Sequence, residues 1–235
     1  MARKEQKEKY LIKYPWPRRT LIRSILSFGI EVISKILTRW QVYGSENIPE
    51  KGPLLIVGNH FSFLDTVAPI HVTRWPLEFI GDFEMPNAPP IMRNFPRLWE
   101  TLKIEQGTPN FEALLASEAV LSQNGVLVIY PEGHVHDGPL NAALPGAAYI
   151  ALRTGAPILP MGTISDNDWK LFKTITDEKR RLGITTKIGQ VFGPLKTKNP
   201  RRPTRQEIED AGQLIMRKIA MLLPLEFRNG FNEET

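Results

Sequence analysis

The chain has 235 residues, a net charge of +5 and no cysteine. This length is sufficient for one sizeable hydrophobic core. The absence of cysteine excludes disulfides, thiolate nucleophiles and cysteine-ligated zinc. The sequence also lacks the glycine-rich motifs of NTPases and dinucleotide-binding enzymes and the Gly-x-Ser-x-Gly motif of serine hydrolases, which argues against all three classes.

The N-terminal residues carry most of the net charge. Residues 1–23 contain eight Lys or Arg and two Glu, whereas the other residues sum to −1. A basic arm without a basic domain favours attachment to an anionic membrane surface over nucleic-acid recognition. We therefore predict the membrane surface as a partner, through residues 1–40, and no nucleic-acid partner.

Apolar side chains recur at helical spacing over residues 21–40. The longest uncharged run in this segment, 24–30, is far shorter than the roughly 20 residues that a membrane-spanning helix needs. The pattern predicts an amphipathic helix in the membrane interface, with Tyr14, Trp16 and Trp40 at the depth of the headgroups. The alternative is a helix that packs on its own domain. Both interpretations are correct if one face of the helix contacts the membrane and another contacts the domain.

The rest of the chain alternates short apolar runs with helical stretches. This alternation predicts an α/β fold with a mostly parallel or mixed sheet flanked by helices, preceded by the N-terminal amphipathic helical segment. We divide the chain into residues 1–40, a basic arm and surface helix, and residues 41–235, the α/β domain. The predicted elements are helices over 110–123, 141–154 and 204–223, a late strand over 184–192 and an irregular loop over 85–96.

A histidine and an aspartate follow the first strand pattern, residues 54–57, which ends at Gly58. His60 falls in the loop after the strand and Asp65 in the first turn of the next helix. Open α/β sheets build their sites at this end of the strands. A carboxylate near one ring nitrogen leaves the other free to accept a proton. The pair predicts a general base for a hydroxyl, and the alternative is an ordinary loop histidine beside a helix-capping aspartate.

A second polar cluster follows another strand pattern, residues 125–129, and is predicted at the same sheet edge as His60. A Pro-Glu-Gly turn at a strand end presents backbone N–H groups that hold an oxyanion or a phosphate. The alternative is a surface turn with a solvated glutamate. The polar side chains of this cluster are those of Tyr130, Glu132, His134, His136 and Asp137, and Gly133 leaves the backbone of the turn exposed.

Together these segments resemble the lysophospholipid and glycerolipid acyltransferase family, the group of 1-acylglycerol-3-phosphate acyltransferases. The resemblance covers residues 41–195 and rests on four motifs in the family's order, at 43–49, 59–65, 130–133 and 156–161. It implies acyl transfer from acyl-CoA or acyl carrier protein to a lysophospholipid hydroxyl, which for 1-acylglycerol-3-phosphate gives phosphatidate.

The resemblance also implies the roles of individual residues. His60 is the base and Asp65 orients it, with no metal site and no cofactor besides the donor substrate. Backbone N–H groups around Gly133 or at the helix start after Asn59 are candidates for the oxyanion. The residues predicted to bind the acceptor or the oxyanion are Asn59, Ser62, Glu132, Gly133, His134, His136 and Lys103.

Two positions depart from the family's pattern. The arginine of the second motif corresponds to Gln106, and the family's Thr-Arg-Ser after Pro-Glu-Gly corresponds to His134-Val135-His136. Neither glutamine nor valine supplies the bidentate fork with which arginine binds phosphate. An acceptor without a phosphomonoester is therefore an alternative. Candidate replacement cations are Lys103, Arg93, Arg97 and the two histidines.

Two other functions compete with acyl transfer. A metal-dependent hydrolase would use His60, Asp65, His134 and His136, but alternate residues of an extended segment point to opposite sides. The second competing function is that of a non-catalytic protein that binds the membrane surface. The expected location is cytoplasmic, peripheral on the inner face of the cell membrane.

Overall fold

Seven strands form one sheet in the computed structural model, which describes residues 11–81, 93–103, 111–166 and 177–231. The strands are β1 (Thr38–Tyr43), β2 (Leu54–Gly58), β3 (Leu77–Gly81), β4 (Leu102–Lys103), β5 (Val126–Ile129), β6 (Ile158–Ser165) and β7 (Leu182–Ile188). Their order across the sheet is β1-β7-β6-β2-β5-β3-β4. Neighbouring strands are parallel except for the pair of β6 and β7.

Helices cover both faces of the sheet. They are α1 (Thr20–Leu37), α2 (Leu64–Val72), α3 (Phe95–Trp99), α4 (Phe111–Ser122), α5 (Pro145–Thr154) and α6 (Arg205–Ala220). On β2, Leu54 and Ile56 join the core shared with α1, α2 and α3, whereas Leu55 and Val57 join the core shared with α4, α5 and α6. A strand buried on both faces has no need of polar residues, and β2 and β5 contain none. The predicted α/β fold is confirmed.

Strand directions place several chain segments at one edge of the sheet. Because β2, β5 and β6 are parallel, their carboxyl ends lie together, and we call this the carboxyl edge. Strand β7 is antiparallel to β6 and parallel to β1, so β1 starts near the carboxyl edge. Helix α1 leads directly into β1, and its C-terminal end therefore lies at this edge as well.

Several element boundaries differ from those predicted. The helix predicted over 141–154 begins at Pro145, because the proline takes a first-turn position where its missing N–H costs nothing. It ends at Gly155, whose φ of 63° suits glycine. The predicted late strand is β7, which begins earlier, and Phe192 forms only an isolated bridge to Ile158.

The remaining predicted elements are found with small changes. Helix α4 confirms the helix predicted over 110–123, and the capping box of Thr204 and Glu207 opens α6, which ends at Ala220. Pro96, placed in the predicted loop, lies instead in the first turn of α3. Positions 85–92 of that loop, Gln106 and residues 1–10 of the basic arm lie outside the described residues.

Helix α1 packs on the domain by one face only. It contacts α2, α3 and β1, and Arg23, Ile30 and Ser34 are buried. Its C-terminus is Leu37, so Trp40 belongs to β1 and the division at 40/41 falls inside that strand. No helix in the described ranges has both the length and the apolar character that a membrane span requires.

Two arginines of the predicted lipid-facing arm point into the protein instead. Arg18 and Arg23 both bind the carboxylate of Glu78 on β3, which is 0% exposed. Arg23 also donates to the carbonyls of Leu77 and Trp99. A buried carboxylate needs such partners, which explains why these two cations face the protein.

The three aromatic residues predicted at headgroup depth contact the domain. Trp16 Nε1 donates to the Pro76 carbonyl at 3.0 Å. Trp40 Nε1 donates to Thr186 Oγ1 at 2.9 Å, and its ring stacks on His71. The hydroxyl of Tyr14 lies 3.2 Å from a Glu112 oxygen. Tyr14 and Trp16 therefore hold the N-terminal segment against the domain, whereas the Trp40 ring joins β1 to β7 and α2.

Candidate active site

His60 and Asp65 lie together at the carboxyl edge, as predicted. His60 follows β2, and Asp65 is in the first turn of α2. The Nδ1 of His60 is 3.8 Å from Oδ2 of Asp65, a distance longer than a hydrogen bond. That oxygen accepts the backbone N–H groups of Phe61 and Ser62. The carboxylate is therefore fixed by the backbone and faces one nitrogen of the imidazole.

The environment of His60 keeps its imidazole neutral. The side chain is 13% exposed. Burial, followed by the positive charges of His136 and His134, lowers the pKa of His60 from 6.5 to about 3. A neutral imidazole can accept a proton, whereas an imidazolium cannot. His60 is thus in the protonation state that a general base requires.

Tyr130, at the end of β5, supports both members of the pair. Its ring stacks on His60 with centroids 4.4 Å apart, and its hydroxyl donates to the backbone carbonyl of Asp65 at 2.7 Å. Burial, followed by the negative charge of Asp65, raises the pKa of Tyr130 well above 10. The phenol therefore stays protonated and remains a donor.

Glu132 organises the loop that follows β5. It is 0% exposed, which contradicts the alternative of a solvated surface turn. Oε1 accepts the backbone N–H of His60 at 2.8 Å, and Oε2 accepts that of Asn141 at 2.8 Å. Oε2 also contacts Nε2 of His136. With both oxygens used inside the protein, Glu132 joins the two predicted motifs.

Three other predicted residues make internal contacts. The amide of Asn59 accepts the Thr163 N–H and donates to the Thr163 carbonyl, both at 2.8 Å, and this ties the end of β2 to β6. Ser62 is 0% exposed, and its Oγ accepts the Leu64 N–H at 3.1 Å. Gly133 turns the chain with φ of 78°, and its N–H donates to the Tyr130 carbonyl.

These contacts bear on the predicted oxyanion donors. The N–H groups of Phe61 and Ser62, at the helix start after Asn59, are directed to Asp65. The N–H of Gly133 is used within its own turn. These three N–H groups therefore stabilise the site itself, and the prediction of an oxyanion donor near Gly133 or after Asn59 stays a prediction.

The structure brings His134 and His136 close to His60 but keeps Lys103 and Arg97 away from it. The imidazole centroids of His134 and His136 are 5.5 Å apart, so the prediction that they point to opposite sides is wrong, because the segment is not extended. Lys103 ends β4, three strands from β2 or about 14 Å across the sheet. Arg97 lies on α3, whose last residue contacts Leu77 at the opposite edge of the sheet.

Two aromatic contacts at the site were not predicted. The Phe61 ring, next to His60, stacks on Phe227 and meets the edge of His136, each with centroids 5.5 Å apart. Phe227 comes from the C-terminal end of the chain, and no sequence pattern links it to His60. Within the described part of the chain, no group of three or more His, Asp or Glu could hold a metal ion.

Comparison with known proteins identifies the family. No curated protein matched the sequence. The crystal structure of the 1-acyl-sn-glycerophosphate (LPA) acyltransferase PlsC from Thermotoga maritima is similar, with a TM-score of 0.57 and 22% identity over 92% of this chain and 87% of that one. This similarity concerns the fold. The family model Acyltransferase matches residues 39–164, more than half of the chain, and that range holds His60, Asp65 and Glu132. The chain belongs to the Acyltransferase family.

Proposed function

We propose that the chain transfers a fatty acyl group from a thioester to the free hydroxyl of 1-acylglycerol-3-phosphate, giving phosphatidate. The observation that carries the proposal is the neutral His60 imidazole facing the fixed Asp65 carboxylate at the carboxyl edge. The activity named for the similar structure, a 1-acyl-sn-glycerophosphate acyltransferase, supports this acceptor. The donor in the proposal is acyl-CoA or acyl carrier protein.

The proposed reaction uses His60 as the base. Its Nδ1 faces Asp65, so Nε2 takes the proton of the acceptor hydroxyl as that oxygen attacks the thioester carbonyl. Collapse of the tetrahedral intermediate breaks the carbon–sulfur bond. The thiolate leaves and takes the proton back from His60. No side chain is acylated in this sequence of steps.

The role of Asp65 is to stabilise the imidazolium that forms in the transition state. At 3.8 Å the carboxylate already favours a positive charge on His60, and a movement of about 1 Å would bring it to hydrogen-bond distance. Catalytic hydrogen bonds are often long before the substrate binds. We therefore expect acceptor binding to shorten this contact and to raise the pKa of His60.

We also propose that α1 attaches the protein to the membrane by its outer face. The outer face carries large apolar side chains that are each more than half exposed, and we call them the apolar stripe: Leu21, Ile25, Phe28, Ile33 and Ile36. Such a stripe on a helix marks an interaction with a membrane or a partner, and the basic N-terminal residues favour an anionic surface. The stripe ends at the carboxyl edge, where His60 lies. A peripheral location on the cytoplasmic face remains a prediction.

Acyl transfer assays test the proposal. Palmitoyl-CoA and palmitoyl-acyl carrier protein would each be offered with lysophosphatidic acid, lysophosphatidylcholine and monoacylglycerol. The wild-type chain should form phosphatidate, and His60→Gln should lower kcat by about 10²–10⁴-fold. His71→Gln is the matched control, because His71 stacks on Trp40 away from the site.

The outcomes separate the parts of the proposal. Phosphatidate formation that is lost only in His60→Gln supports the base and the acceptor together. Transfer restricted to an acceptor without a phosphomonoester would keep the chemistry and show that the acceptor is wrong. A folded wild-type chain that transfers to none of the three lipids would contradict the proposed function.

A further inference from the structure

Helix α2 contains a proline at the position that affects the backbone carbonyl of Asp65. In a regular α-helix the N–H of residue i+4 donates to the carbonyl of residue i, and the fourth residue after Asp65 is Pro69. Proline has no N–H, and its ring pushes the carbonyl of the preceding turn away from the helix axis. The sequence of α2 therefore removes the usual helical donor from the carbonyl of Asp65.

The hydroxyl of Tyr130 takes the place of this N–H. It donates to the Asp65 carbonyl at 2.7 Å, although the two residues are 65 positions apart. Pro69, Asp65 and Tyr130 are buried and line the same small cavity between α2 and the sheet. A buried carbonyl needs a donor. The bond therefore fixes the first turn of α2, which carries the Asp65 carboxylate, to the end of β5.

The ring of Tyr130 acts on the other member of the pair. It stacks on the His60 imidazole with centroids 4.4 Å apart and 20° between the planes. Rotation of the imidazole about its Cβ–Cγ bond would drive it into the phenol ring, so the stack limits this rotation. One side chain thus holds both the plane of the imidazole and the turn that carries Asp65.

We propose that Tyr130 is a positioning residue for acyl transfer. It sets the distance and the angle between the His60 imidazole and the Asp65 carboxylate, and its hydroxyl has this role because Pro69 cannot supply an N–H. Tyr130 acts through these two residues and is not itself a catalytic group. The assignment rests on the proposed function, in which His60 is the base.

A double-mutant cycle between positions 130 and 69 tests the role of the hydroxyl. Tyr130→Phe keeps the ring, and it should lower kcat by about five- to tenfold, the effect of one hydrogen bond, with KM changed less than about twofold. Pro69→Ala restores the backbone N–H. In that background Tyr130→Phe should therefore lower kcat less than about twofold. An unchanged kcat in Tyr130→Phe, or an equal decrease in both backgrounds, would overturn the proposal.

The controls separate positioning from a general loss of structure. Each comparison is made within one background, so the gap that alanine leaves at the buried position 69 affects both members of a pair alike. The kcat values are expressed per folded protein, measured by circular dichroism. Tyr43→Phe is the matched control, because Tyr43 is 52% exposed at the end of β1 away from the carboxyl edge. Its kcat should equal that of the wild type.

Histidine NMR tests the stacking role without any turnover. The ring protons of His60 lie over the Tyr130 ring and should resonate upfield, as should those of His71, which stacks on Trp40. His60→Gln and His71→Gln assign the two sets of signals. Tyr130→Leu should move only the His60 signals towards their ordinary position, whereas Tyr130→Phe should leave them upfield. His60 signals that Tyr130→Leu does not move would overturn the stacking role.

Failures of the two proposals look different. A wild-type chain that transfers no acyl group to any tested lipid would contradict the proposed function. Thermal unfolding of the same four proteins then decides on the positioning contact: Tyr130→Phe should lower Tm, and it should lower Tm less in the Pro69→Ala background. Equal decreases in Tm would show that the hydroxyl does not replace the missing N–H, and they would overturn the inference in an active or an inactive chain.

Discussion

Glu132 accepts the backbone N–H of His60 at 2.8 Å, across 72 positions of the sequence. The same carboxylate holds Asn141 and His136, so one buried side chain sets the start of the His60 loop and the path of the loop after β5. Because β2 and β5 are parallel neighbours, the two loops leave the sheet side by side. The two predicted motifs are therefore one structural unit, joined through the backbone.

Replacing Asp65 with asparagine should affect the rate more than acceptor binding. The amide oxygen can still accept both backbone N–H groups, those of Phe61 and Ser62, but the side chain loses the negative charge that stabilises the His60 imidazolium. We expect kcat to fall by about 10²–10⁴-fold with KM changed only a few-fold. Steady-state kinetics on purified Asp65→Asn measure both values. An unchanged kcat would remove Asp65 from the mechanism.

His60 should make the fold less stable in acid. Its folded-state pKa of about 3 lies below the usual 6.5, so between these values the unfolded chain binds a proton that the folded chain does not. The neutral, buried His60 side chain therefore makes its full contribution to folding stability above pH 6.5, and this contribution is lost as the pH falls towards 3. At pH 5 the loss is on the order of 2 kcal/mol. Urea unfolding at pH 7.5 and pH 5 should show a larger decrease for the wild type than for His60→Gln, and equal decreases would contradict the prediction.

Gly133→Ala should destabilise the Pro-Glu-Gly turn. The position has φ of 78°, in the left-handed region that alanine adopts only with strain, and an added Cβ would also displace the exposed side chain of Leu144. We expect a loss of about 1–3 kcal/mol in the free energy of unfolding, or several degrees in Tm. Gly146→Ala is the matched control, since its Cβ in α5 meets only Ile129 at 3.8 Å. Thermal unfolding should show this variant at or slightly above the wild-type Tm, and similar Tm values for the two variants would refute the argument.

Charges on the apolar stripe of α1 should weaken binding to vesicles. Phe28 and Ile25 are 69% and 62% exposed, so Phe28→Asp and Ile25→Asp leave the core intact. Each substitution removes about 1.5–3 kcal/mol of apolar burial in the membrane, which corresponds to at least about tenfold in partitioning. Flotation with anionic liposomes measures the bound fraction. Leu225→Asp, at a 73% exposed site outside α1, should bind like the wild type. Equal binding by all variants would show that the stripe does not contact lipid.

The sequence predicted the parts of the fold that depend on local patterns. The apolar runs of β2 and β5 predicted buried parallel strands, and parallel strands require that their following loops meet at one edge. That rule correctly placed His60, Asp65 and Glu132 together. The helix at Thr204 was predictable because a capping box is a local arrangement of two side chains.

Contacts between distant segments could not be read from the sequence. The positive charges of Arg18 and Arg23 were assigned to a lipid-facing arm, although both bind Glu78, which lies 60 and 55 positions away. The one sequence feature that indicates this pairing is the single glutamate in the apolar strand β3, because a buried carboxylate requires a cationic partner. The stacking of Phe227 on Phe61 left no comparable signal, because aromatic residues near a C-terminus pack in many ways.

The attachment of Arg18 and Arg23 to Glu78 has a consequence for shortened forms of the protein. Removing the segment before β1 would leave the buried carboxylate of Glu78, near the start of β3, without a counter-ion and would expose the apolar surface under Ile30. Leaving such a charge unpaired costs about 3–5 kcal/mol, a large part of the stability of an ordinary domain. The segment that carries Arg18 and Arg23 thus stabilises the domain on which it packs. A variant without this segment would lose lipid binding through misfolding, whether or not the segment contacts lipid.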